Sequence, residues 1–115
     1  MSKAKAKGTL AESALVKYLV ANGFPLAERR ALTGQFDQGD VTGTPCLAWE
    51  VKNHKAYKFA EWVRETEIER INAKADFGIL VVKPNGVGKA ENFWAVMPVK
   101  FIVDLLREAG YGDAK

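Results

Sequence analysis

The spacing of apolar residues along this chain changes period several times, and each change predicts an element. From Thr9 to Asn22, Ala11, Ala14, Leu15, Tyr18, Leu19 and Asn22 fall on one side of a helix, and Gly23 supplies a stop. Thr9 and Glu12 have the spacing of a capping box, so this helix is expected to open at Thr9. Residues 26–32 read as a strand ended by Thr33 and Gly34. Two short strands over 39–42 and 46–52 follow, joined by Gly43-Thr44-Pro45. Residues 58–75 read as a helix and the β-branched run 77–83 as a buried strand. A glycine-rich turn over 84–91 leads to a further strand over 93–97. Pro98 sits in the first turn of the last helix, where its missing N–H costs nothing. That helix is expected to carry Val99, Ile102, Val103 and Leu106 inward and to stop at Gly110.

The order α-β-β-β-α-β-β-α predicts an α/β fold, a mixed central sheet flanked by helices, because each apolar stripe must be buried against something. Helix 58–75 resists that simple picture. Its apolar residues divide into two stripes, Phe59, Trp62 and Val63, then Ile68, Ile71 and Ala75. A single core-facing helix has one such stripe. The second predicts a kink or contact with another copy of the chain, and so a homodimer. At 115 residues the chain is long enough for one core. It divides into a flexible basic arm over 1–8, one domain over 9–110 and a tail over 111–115.

Composition excludes some classes. The chain is 48% hydrophobic and 27% charged, as ordinary globular domains are. Its one cysteine, Cys46, excludes an internal disulfide framework and suits a reducing compartment. No apolar run approaches the ~18 residues of a membrane span, and no secretory signal pattern opens the chain, so a cytoplasmic location is expected. The net charge of +3 adds a weak preference for a polyanion. Lys3, Lys5 and Lys7, the pair Arg29 and Arg30, and Lys52, Lys55 and Lys58 form basic groups able to neutralise phosphates.

The chemistry concentrates on Leu47-Ala48-Trp49-Glu50-Val51-Lys52, which alternates strictly. On a strand, Leu47, Trp49 and Val51 form an apolar face, while Ala48, Glu50 and Lys52 share the other. A three-residue hairpin loop would set Asp40 opposite Ala48 and on the face of Glu50, whereas a two-residue loop would mix the faces. Two carboxylates at that separation can share a divalent cation. Oxygen-only ligation suits Mg²⁺, for which Mn²⁺ can substitute, and Lys52 is placed to stabilise charge on a phosphate.

Gly39-Asp40, nine intervening residues and Glu50-Val51-Lys52, with helices before and after, resemble the PD-(D/E)xK nuclease superfamily. Within it the chain is similar to the archaeal-type Holliday junction resolvases and the small resolvase-like nucleases of bacteriophages, over roughly residues 9 to 106. The resemblance implies a restriction-endonuclease-like core and a Mg²⁺-dependent, homodimeric endonuclease cutting branched DNA, in the host cytoplasm if phage-encoded. It implies Asp40 and Glu50 as metal ligands, Lys52 as catalytic and Glu12 as a further site carboxylate, a role that competes with its capping of the first helix. Arg29 and Arg30 resemble the family's contacts to the DNA backbone. Gly39 replaces the motif's usual proline, which leaves the subfamily open. A repair or restriction-like nuclease on duplex, nicked or flap DNA is the alternative substrate class, and an inactive DNA-binding module the alternative of another class.

Other candidates carry less. Asp37 is expected in a turn more than at a metal, His54 is a lone loop histidine, and Cys46 has no companion for zinc. Gly86-Val87-Gly88-Lys89 lacks the full phosphate-loop spacing, leaving Lys89, like Lys55, as a possible DNA contact. Glu61, Glu65 and Glu69 recur every four residues and read as a solvated helix face, while Trp62 and Trp94 read as core or interface.

Overall fold

The computed structural model describes residues 3–31 and 37–113, apart from the side chain of Ala4. Met1 and Ser2 of the expected arm, Leu32 to Phe36 at the end of the expected first strand, and the last two residues of the tail lie outside the described residues. Among the described residues three α-helices and five strands follow in the expected order: α1 (Lys3–Ala21), β1 (Glu28–Arg29), β2 (Val41–Thr42), β3 (Leu47–Lys52), α2 (Phe59–Asn72), β4 (Phe77–Val82), β5 (Trp94–Val96) and α3 (Val99–Glu108). A 3-10 turn, Ala90–Asn92, precedes β5. The fold is mixed α/β. No described helix is long and apolar enough to cross a membrane.

Two small sheets form. β1 and β2 pair antiparallel, Glu28 with Thr42 and Arg29 with Val41. β3, β4 and β5 make a mixed sheet in that order, β3 parallel to β4 and β4 antiparallel to β5. Its faces follow from alternation. Leu47, Trp49 and Val51 of β3, with Ile79 and Val81 of β4, pack with Ala11, Leu15 and Leu19 of α1. On the opposite face Leu80 and Val82 pack against Trp62 of α2. The sheet therefore lies between α1 and α2.

Several expectations change. Helix α1 begins at Lys3, not Thr9, so Thr9 and Glu12 are interior to it and form no capping box. Lys3 to Lys7 make its first turns, where lysine is a good helix former. The predicted β2–β3 hairpin register is also absent. Asp40 N–H donates to Trp49 O at 2.6 Å, and the Asp40 carboxylate takes the Val51 N–H at 2.7 Å. A side chain thus replaces a ladder carbonyl, and Asp40 lies beside Trp49 and Val51 rather than opposite Ala48. Gly39 permits this approach, since a Cβ there would stand 2.7 Å from Trp49 O.

Helix α3 departs furthest. Pro98 precedes it and Gly110, at φ +97°, terminates it, both as predicted. Yet no residue of α3 is buried; Val99, expected inward, is 74% exposed and Leu106 46%, and Ile102 and Val103 are exposed with them. Both faces of the sheet are already covered by α1 and α2, which leaves α3 little to pack on. Phe101 alone makes a ring contact with the sheet, edge-on to Phe77. Trp94, expected in the core or an interface, is not in the core: it is exposed, although its ring stands near those of Tyr57 and Phe59.

Candidate metal centre

Glu50 faces α2 from the middle of β3, between Ala48 and Lys52 on the same side. Ala48 is paired with Gly78 in the β3–β4 register. These two small residues let α2 approach closely: a Cβ on Gly78 would stand 3.1 Å from Arg70 Cβ and 3.2 Å from Thr66. The buried face of α2 comprises Trp62, Thr66 and Glu69, at i, i+4 and i+7. Glu69 is therefore lowered onto the sheet beside Glu50 and is 1% exposed. Sequence reading had assigned it to a solvated face; only Glu61 of that acidic row is fully exposed.

Four carboxylates converge here. Asp37, Glu50, Glu65 and Glu69 each offer one oxygen, all within 4.8 Å of one another. Asp37 also accepts the Gly39 N–H at 2.9 Å, so its expected turn role and a place in the cluster coexist. Asn72 of α2 donates to the Asp37 carbonyl, tying this loop to the helix. All four donors are oxygens and no imidazole or thiol joins them, which suits a hard divalent cation rather than zinc. The cluster could hold a metal ion.

The three motif residues meet at its edge. Asp40, whose carboxylate takes the Val51 N–H, is near enough to Glu50 to raise its pKa, though it is not one of the four converging carboxylates. Lys52 Nζ stands 3.8 Å from Glu50 Oε1 and 3.0 Å from Glu65 Oε2. Burial, then the neighbouring carboxyls of Glu69 and Asp40, push the Glu50 pKa far up, and burial likewise raises that of Glu69. Both side chains are thus driven towards their neutral, protonated forms. Lys52 shifts the other way for its type. Burial alone would lower its pKa, but Glu50, Glu65 and Asp40 outweigh it and keep the ammonium charged.

Glu12 approaches Asp40 from α1. Its pKa is raised by burial and by the Asp40 charge, against the pull of Arg29. Freed from the cap, Glu12 instead pairs with Arg29 Nε at 3.2 Å. Arg29 and Arg30 diverge, as neighbours on a strand must. Arg29 turns towards α1, while Arg30 Nη1 donates to Gln38 at 3.3 Å. They do not form one basic surface.

Lys55 is exposed on the loop after β3, where its carbonyl accepts a hydrogen bond from Asn85. Lys89 lies away from it, along a shallow groove with Lys17 and Tyr18 of α1. A basic rim that the sequence did not connect gathers at the end of β3. Asn53 Nδ2 donates to the Lys7 carbonyl at 3.2 Å, bringing the first turns of α1 to this loop. The charges of Lys52, Lys7 and Lys58, after partial burial, all depress the His54 pKa. His54 itself leans on Trp62, with ring centroids 5.2 Å apart.

Comparisons of the chain with protein-family models, with curated proteins and with solved structures found no match.

Proposed function

We propose that this protein is a divalent-cation-dependent endonuclease of the PD-(D/E)xK type that hydrolyses phosphodiester bonds in branched DNA. The observation that carries the reading is that Lys52 Nζ stands 3.8 Å from Glu50 on one face of β3 while the Asp40 carboxylate is fastened to the same strand at Val51 N–H. The element order supports it, as does a sheet held between α1 and α2. On this reading the chain has a restriction-endonuclease-like core.

Asp40 and Glu50 would hold the cation, Mg²⁺ or Mn²⁺, which would supply Lewis-acid chemistry to the scissile phosphate and to an attacking water. Lys52 stays protonated and offsets the charge that develops on the phosphate oxygens. Glu12 shapes the field at Asp40. The rim of Lys7, Lys55 and Lys58 takes flanking phosphates, a contribution that weakens with salt. Exposed Ile68 and Ile71 on α2, with the apolar side of α3, favour a homodimer whose two sites make paired cuts in a four-way junction.

Incubation with a four-way junction, linear duplex and flap DNA, in Mg²⁺ or EDTA, tests this directly. Symmetric junction cuts that need the cation are expected. Preference for duplex or flap would shift the substrate to a repair or restriction type. Tight binding without cleavage in Mg²⁺ or Mn²⁺ would make the chain a DNA-binding module. Glu50→Gln and Lys52→Ala are each expected to slow cleavage about 10²–10⁴-fold while DNA binding persists.

A further inference from the structure

We propose that Glu69, carried by α2, is a direct ligand of a divalent cation seated between that helix and β3, together with Glu50, Asp37 and Glu65. The inference rests on the cation-dependent reading above and extends it: Glu50 is common to both, Asp40 borders the ion from the edge of β3, and Glu69, Asp37 and Glu65 are ligands outside the motif's charged residues.

Two observations carry it. The first is geometric: one oxygen from each of the four carboxylates lies within 4.8 Å of the others. A cation with oxygens at about 2.0–2.6 Å places opposite ligands roughly 4–5 Å apart, so one ion spans the set. The second is independent. Glu69 is 1% exposed, and neither of its carboxylate oxygens meets a hydrogen-bond donor. A buried carboxylate without a partner is among the costlier features a fold can carry. Lys52 relieves Glu65 and reaches Glu50, but makes no ion pair with Glu69. A divalent cation answers all four oxygens together and leaves coordination positions for water or a phosphate oxygen. All-oxygen ligation selects Mg²⁺, Mn²⁺ or Ca²⁺.

This site also joins separate parts of the fold. Asp37 belongs to the segment that leads to Asp40, and Asn72 already fastens its carbonyl to α2. An ion held by Asp37 and Glu69 would draw that segment, the β3 carboxylate and the helix into one unit.

The test uses the metal alone, without DNA. MnCl₂ is titrated calorimetrically into the metal-free protein, and melting is followed in MgCl₂ and in EDTA. Glu69→Gln keeps the side chain's shape and removes its charge. It is expected to weaken Mn²⁺ binding at least ~10-fold and to lose the rise in melting temperature that Mg²⁺ gives the unsubstituted protein. In EDTA it should melt at or above the unsubstituted protein, since the amide is neutral at every pH and can donate to the neighbouring carboxylates, an outcome that a mere packing role would not give. Asp37→Asn, at an exposed position, should weaken Mn²⁺ binding without disturbing the interior. Unaltered Mn²⁺ affinity in Glu69→Gln overturns the proposal, as does an unsubstituted protein that neither binds Mn²⁺ nor is stabilised by Mg²⁺. The outcome separates from the cleavage reading. A protein that binds Mn²⁺ through Glu69 and cuts no DNA sinks only the nuclease. One that cuts DNA while Glu69→Gln binds Mn²⁺ normally sinks only the Glu69 ligand.

Discussion

Helix α2 turns Trp62, Thr66 and Glu69 towards the sheet, whereas α3 leaves Val99, Ile102, Val103 and Leu106 at the surface. By residue type alone α3 should be the buried helix and α2 the solvated one. The difference lies in what each meets. α2 finds a sheet face opened by Ala48 and Gly78, close enough for a carboxylate to be pressed against Glu50. α3 finds a sheet already covered on both sides and touches its neighbours chiefly through Phe101, which meets Phe77 and the Arg70 guanidinium. Hydrophobicity says what a helix would gain by burial; the order in which the faces are filled decides which helix gains it.

The largest expected effect separates the two helices by stability. Trp62→Ala empties a site that is 4% exposed and should cost about 3–5 kcal/mol. Leu106→Ala, on a half-exposed side chain, should cost under about 1 kcal/mol in the monomer. Urea denaturation at low protein concentration measures both. Equal costs would break the contrast, because α3 would then have a hidden partner within the chain.

How much of this was legible beforehand follows the same division. Local signals were readable: the alternation of β3, the stops at Gly23 and Gly110, Pro98 before α3, and the order of elements. They depend on residues close in sequence. Asp40 was expected beside Glu50 through a hairpin register that does not form; its carboxylate instead takes the Val51 N–H of the same strand. Glu69 was hidden by its spacing from Glu61 and Glu65. The better signal was its distance from Trp62, seven residues on and thus on the same helix face, with Thr66 between. Ala48 and Gly78, which give it room, are thirty positions apart and become neighbours only through parallel pairing. The inward reading of α3 failed for a related reason: its stripe was correctly identified, but no sheet face remained for it.

A middle-sized effect sharpens the α2 side. In EDTA the carboxyls of Glu50 and Glu69 hold protons to higher pH than in the unfolded chain, first because they are buried, and also because Asp40 faces both and Asp37 faces Glu69. A raised carboxyl pKa means that the folded state binds more protons. Stability should therefore be greatest near pH 4.5 on this account and decline as pH rises towards the Glu69 value of about 8. Each proton so retained contributes a slope of at most about 1.4 kcal/mol per pH unit. Mg²⁺ competes with those protons, so its stabilising effect should grow over the same interval. Urea midpoints at pH 5.5, 6.5 and 7.5, with EDTA or MgCl₂, resolve the two trends. A midpoint in EDTA that rises with pH would mean that the seam is not a buried acidic one.

The smallest effect on stability, and the most telling for α3, comes from charging its exposed side. Leu106→Lys and, on α2, Ile71→Lys should each change monomer stability by no more than about 0.5 kcal/mol, since both side chains are exposed. If these apolar residues meet a second copy of the chain, a lysine placed between them must be desolvated without a partner, and sedimentation should show a dimer becoming a monomer at micromolar concentration. Sedimentation of the unsubstituted protein as a monomer would leave α3 with no such partner and would remove the paired-cut geometry, while leaving the carboxylates on β3 and α2 where they are. The two helices would then differ in kind, one built into a site and the other merely tolerated at the surface.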